Sequence, residues 1–165
     1  MISLRPAEPK DAGLISAFIQ ELADYERLSH EAQAGEADIH AALFGDQPTV
    51  FCDIAEWSGQ PAGFALWFYS FSTFRGRRGI YLEDLYVRPE HRGQGLGKAL
   101  LSRLARRCAD EGLGRLEWAV LDWNAPSIAF YESLGARPMN EWTVYRLTDE
   151  ALATLGEKEE KPCSS

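Results

Sequence analysis

The chain has 165 residues, 45% hydrophobic and 25% charged, with 25 Asp and Glu against 17 Lys and Arg and a formal charge of −8. That length can bury a core without disulfides or metals to staple it, and it fits one domain better than two. A single domain over residues 1–156 and a flexible tail over 157–165 are expected. No apolar stretch approaches the roughly 20 residues that span a bilayer. The first residues, Met-Ile-Ser-Leu-Arg-Pro, carry no secretory h-region. Cys52, Cys108 and Cys163 are odd in number and far apart, which points to a reducing cytoplasm rather than a disulfide framework. His30, His40 and His91 are equally scattered, with no HExxH and no CxxC, so no metal site is expected.

The first strand is expected over residues 2–5. Pro9 suits the first turn of a helix, and Leu14, Ile15, Phe18, Ile19, Leu22 and Tyr25 recur at helical spacing, so helix one should run to about Tyr25. A weaker helix over 36–44 is stopped by Gly45 and Pro48. Strands follow over 49–56, 62–71 and 80–88, joined by Ser58-Gly59-Gln60-Pro61 and by a loop with Gly76 and Gly79. Residues 98–111 form an amphipathic helix ending at Gly112, 115–121 a strand, 126–134 a helix ended by Gly135, and 142–147 a last strand. Strands and helices alternate, with two hairpin-like connections in the middle. The class is α/β with a mixed sheet.

The charge is unevenly spread. From Arg75 to Arg115 the chain carries +5, and the remainder carries −13. An acidic whole disfavours nonspecific nucleic-acid binding, and a basic segment inside it suits one anionic ligand. Within that segment a strand runs into Arg92-Gly93-Gln94-Gly95-Leu96-Gly97-Lys98 and then into a helix. Glycines let backbone N–H groups approach an anion, and the helix N-terminus adds positive potential, so a pyrophosphate is the natural guest. The P-loop pattern fails at Arg92 and Ala99, and GxGxxG fails at Lys98.

Arg92-x-x-Gly95-x-Gly97 resembles the acyl-CoA loop of the GNAT-superfamily N-acetyltransferases. The segments 81–87 (YLEDLYV) and 123–136 (WNAPSIAFYESLGA), with 2–7 and 21–26, are similar to the diamine (spermidine/spermine) N-acetyltransferase branch, in family order from about residue 2 to 147. The resemblance implies a mostly antiparallel central sheet with splayed middle strands and flanking helices, and acetyl transfer from acetyl-CoA directly to a small cationic amine. It implies that Leu85, Tyr86 and Val87 bind the pantetheine arm and thioester and that Arg92, Gly93, Gln94, Gly95, Leu96, Gly97 and Lys98 cradle the pyrophosphate. Asn124, Pro126 and Ser127 would line the cofactor. It makes Tyr131 the general acid for the departing thiolate, Glu83 a carboxylate that binds the amine and helps deprotonate it, and Tyr25 and Glu26 substrate contacts. The family is usually dimeric, so a homodimer is expected.

Read from the residues alone, Glu83 and Asp84 should point to opposite faces of their strand and so cannot share a proton. Either each is hydrogen-bonded structurally or one of them, like a substrate-binding group, faces a cleft. Tyr131 also reads as an ordinary aromatic packed with Ile128 and Leu134. The loop over 72–79 is longer and more basic than in the polyamine enzymes, with Ser72 and Phe74 where they place an acid and a Trp. That departure favours an amine shorter than a polyamine, and residues 137–143 show no match. A protein lysine or N-terminus as acceptor, and a non-catalytic acyl-CoA-binding module, are the competing readings.

Overall fold

The computed structural model describes residues 1–157, which fall into two compact units, 1–122 and a second that begins at Trp123. The first unit holds a five-stranded sheet in sequential order: β1 (Ile2–Pro6), β2 (Phe51–Trp57), β3 (Gln60–Ser72), β4 (Arg77–Val87) and β5 (Leu116–Glu117). The first three pairings are antiparallel, and β4 with β5 is parallel. Helices α1 (Ala12–Tyr25), α2 (Glu36–Phe44) and α3 (Leu96–Glu111) complete it.

Strand alternation divides the sheet into two apolar faces. Cys52, Ile54, Phe64, Leu66 and Tyr86 meet Ile15 and Phe18 of α1 and Ile39 and Leu43 of α2. Phe18 stacks on Phe64 at 5.2 Å between ring centroids. Burying a side chain of this size contributes roughly 1.5–3 kcal/mol. On the opposite face α3 turns its buried Leu96, Leu100, Leu101 and Leu104 inward. Asp53 there is 2% exposed, yet it accepts hydrogen bonds from Trp67 Nε1 (3.3 Å) and Arg103 Nε (3.0 Å), which tie β2 to β3 and to α3. A buried carboxylate without such partners would cost several kcal/mol. Near the N-terminus Asp11 accepts from both Nη1 and Nη2 of Arg5 and from the Glu8 N–H, which holds a 3-10 turn (Pro9–Asp11) ahead of α1.

Two irregularities matter for the site. In the β3–β4 ladder Leu66 opposes Asp84 but Trp67 opposes Leu82, so Glu83 is an extra residue in β4. This β-bulge breaks the alternation. Leu82 follows Trp67 toward α3, whereas Asp84 follows Leu66 toward α1 and α2. The second irregularity is that β5 pairs with β4 only at Ile80/Leu116 and Tyr81/Glu117. The expected strand over 115–121 is thus much shorter. A bulge bends its strand and increases the local twist, and the parallel ladder stops just before it. Beyond Tyr81 the middle strands part, as the splayed sheet implied by the resemblance requires.

The second unit contains α4 (Ala125–Ser133) and α5 (Asp149–Leu155). α4 matches expectation, whereas α5 was not foreseen. The strand expected over 142–147 is absent among the described residues, and Trp142, Val144, Tyr145 and Leu147 are exposed. Its residue pattern suits a strand, but strand backbone needs a hydrogen-bonding partner. The tail expected over 157–165 lies outside the described residues except for Glu157.

Candidate active site

The end of β4 supplies the centre of the site. Past Tyr81 this strand is paired only with β3 among the described residues, so alternate N–H and C=O groups of the segment to Val87 face the opening left by β5. Leu85 and Val87 are half-buried and Tyr86 is buried against α1, its ring tilted 60° to that of Phe18.

A 3-10 turn (Pro89–His91) then leads to Arg92, in extended conformation, and to the glycines. Gly93 and Gly95 have φ of 78° and 88°, values that a Cβ disfavours. Gly95 is the N-cap of α3 and offers no side chain to the first turn. The first intrahelical bond runs from the Ala99 N–H to the Gly95 carbonyl at 2.9 Å. The N–H groups ahead of it have no acceptor within the helix, and they carry the positive end of its dipole. The helix begins at Leu96, two residues earlier than expected, so Gly97 lies in its first turn. Leu96 is buried and anchors the loop, while Gln94 and Lys98 are exposed.

The acidic side is built by the bulge. The bulge interrupts regular pleating at Glu83 and leaves Asp84 opposite Leu66. Burial, then the neighbouring Glu83 and then Glu26 at the end of α1, push the Asp84 carboxyl up to about 7. Burial also raises the Glu26 carboxyl. Glu83 itself is exposed. Three carboxylates from two elements thus share one field. Tyr25, at the last position of α1, lies under the Arg92 guanidinium, whose carbon is 4.9 Å from the ring centroid.

The remaining candidates belong to the second unit. Asn124 is buried, and its Oδ1 accepts the Ser127 N–H at 3.4 Å as the N-cap of α4, with Pro126 in the first turn. Tyr131 is half-buried, with its ring 5.5 Å from that of Phe130. Sequence reasoning missed Arg88, which pairs through Nε and Nη2 with Glu21, both at 3.1 Å. No motif marked it.

Residues 15–136 match the model of the acetyltransferase (GNAT) family. Thialysine N-epsilon-acetyltransferase of Bos taurus is 38% identical over 95% of this chain and 98% of its own. L-ornithine N5-acetyltransferase of Arabidopsis thaliana is 31% identical over 92% of this chain and 86% of its own. Among solved structures, an integron cassette protein from the mobile metagenome of V. cholerae superposes with a TM-score of 0.79 at 25% identity, covering 95% of this chain and 98% of that one. The chain belongs to the GNAT acetyltransferase family. It is an N-acetyltransferase, and acetyl-CoA is the family's acetyl donor.

Proposed function

We propose that the protein transfers the acetyl group to a small primary amine bearing a second positive charge or a polar tail, such as a diamine or a lysine-like amino acid. The observation that carries this is the electrostatic grouping of Glu83 and Glu26 with Asp84 where β4 bulges. Such a field concentrates cations and penalises anions. Thialysine and ornithine, after which two relatives are named, are amino acids of this kind.

The cofactor fits the chain's own groups. The uncapped N-terminus of α3, with Gly95 at positive φ, suits a pyrophosphate, held by Gly93, Gln94, Gly95, Leu96, Gly97 and Lys98. Leu85, Tyr86 and Val87 hold the pantetheine arm through their backbone, and the family resemblance assigns Asn124, Pro126 and Ser127 to the cofactor as well. When bound, acetyl-CoA supplies an acetyl thioester open to attack.

An aliphatic ammonium has a pKa near 10.4 and must lose a proton before it attacks. Asp84, held near neutrality, is the better base of the adjacent pair, and Glu83 and Glu26 bind the cation with Tyr25. The Leu85 N–H donates to the carbonyl oxygen where negative charge develops. The family resemblance gives Tyr131 the role of protonating the departing sulfur.

The test is thiol release from acetyl-CoA. It should depend on added diamine or basic amino acid, and release indifferent to any amine would leave only hydrolysis. The loop has its own test. Glycine in a helix costs about 1 kcal/mol against alanine. Gly97→Ala should therefore melt a few degrees higher yet bind acetyl-CoA at least tenfold more weakly by calorimetry. Unchanged affinity would remove the loop from the cofactor site.

We also propose a cytoplasmic homodimer. Cys52 and Cys108 are free thiols, and no helix among the described residues is long and apolar enough to cross a membrane. The strand-like segment over 142–147 leaves Val144 87% and Tyr145 92% exposed, apolar surface that suits a second copy of the chain. Sedimentation at micromolar concentration should show twice the 18.5 kDa chain mass, and a lone monomer would refute the pairing.

A further inference from the structure

We propose that Arg92 is a positioning residue that locks the amine-side end of α1 to the end of β4, and so couples the phosphate loop to amine binding. Its place at the head of the glycine loop suggests an anion ligand, but its guanidinium, on an exposed residue, folds back over the ends of β4 and α1. Nε donates to the Val87 carbonyl at 2.8 Å, and the guanidinium carbon stands 4.9 Å from the Tyr25 ring centroid and 5.6 Å from that of Tyr86. One carbonyl and two aromatic faces thus engage it, each suited to a planar cation.

Arg88 makes the matching grip one turn earlier along α1. It pairs with Glu21, donates to the Pro61 carbonyl at 3.4 Å and stands 4.7 Å from the Phe18 ring centroid. Phe18, Glu21 and Tyr25 are spaced by three and four residues and share one face of α1. Two arginines that bracket the turn between β4 and the loop therefore hold successive turns of that face. The last of these turns ends in Tyr25 and Glu26, and Glu26 acts on Asp84. Loop position is thereby transmitted to the amine subsite. Coupling of this kind is reciprocal, so bound acetyl-CoA tightens amine binding by the factor that amine tightens acetyl-CoA.

This inference rests on the acetyl-transfer reading. The experiment measures acetyl-CoA Kd by calorimetry, and amine KM and kcat by thiol release, for the full chain and for Arg92→Gln, Arg92→Lys, Tyr25→Leu and the double variant R92Q/Y25L. Arg92→Gln should raise amine KM by about 5- to 20-fold, with kcat and acetyl-CoA Kd within about threefold. Arg92→Lys should resemble it, because an ammonium cannot donate from Nε and stack on two rings together. The double variant should be no worse than the worse single variant, the non-additivity of residues in contact. The inference is overturned if Arg92→Gln weakens acetyl-CoA tenfold or more, Arg92→Lys restores it and amine KM stays unchanged, the pattern of a phosphate ligand. Additive KM effects at Arg92 and Tyr25 overturn it equally, and Arg92→Lys with Tyr25→Leu still decide the matter if Arg92→Gln fails to fold. A wild-type protein that releases no thiol with any amine sinks the acetyl-transfer reading instead.

Discussion

Replacing Tyr131 by Phe lowers kcat by roughly 10²- to 10⁴-fold, the usual cost of removing a general acid, while acetyl-CoA affinity stays within about threefold. The substitution removes one hydroxyl and keeps the ring beside Phe130 on α4. A structural role for this aromatic would therefore survive in the variant, and a proton-donating role would not. Steady-state turnover with calorimetry on the same preparation separates the two. A near wild-type rate would return Tyr131 to ordinary packing and leave water as the acid.

Asp84→Asn produces the second large effect, with opposite signs in activity and stability. Burial and the like charges of Glu83 and Glu26 hold the folded-state carboxyl near 7, above the value of about 3.9 for an unfolded aspartate. Between those two pH values the folded protein binds more protons than the unfolded chain, so stability falls as pH rises through that window. Above it the full cost of ionising this half-buried carboxyl beside two like charges remains. Asp84→Asn removes that cost, so at pH 8 the variant should melt higher than wild type, by an amount on the order of 4 kcal/mol at most. At pH 4 the difference should largely vanish. Turnover should fall by roughly 100-fold or more, as for a lost general base. The rise of kcat/KM through pH 7 in the wild type should also disappear from the variant. A destabilised variant at pH 8 would show that Asp84 is a satisfied structural carboxylate.

The glycine spacing at 93, 95 and 97 and the helix it opens were legible, because positive-φ positions and an uncapped helix start leave a mark in residue type. The antiparallel run from β2 to β4 was legible from its two turns. The bulge at Glu83 was not. Strand periodicity assumes an unbroken pleat, and whether a residue is accommodated as an extra depends on register with β3 rather than on any local pattern. Regular alternation therefore gave no sign of the extra residue at Glu83, nor of the burial and like charges that raise the Asp84 carboxyl. The segment over 142–147 failed for a related reason. Its residues favour a strand, but a strand is completed by its neighbour, and none stands beside it among the described residues. Arg88 and Arg92 looked like members of one basic patch, and only the packing of α1 shows that each has a specific partner.

The most direct measurement is competition in one vessel. Acetyl-CoA is supplied with equal concentrations of a lysine-like amino acid, a diamine, an aromatic monoamine and an anionic amine, and the acetylated products are separated and counted. The carboxylate field of Glu26, Glu83 and Asp84 predicts that product accumulates on the diamine or the basic amino acid, and that added salt narrows the preference as exposed charges are screened over roughly 8–10 Å. Product accumulating chiefly on the aromatic or the anionic amine would contradict it.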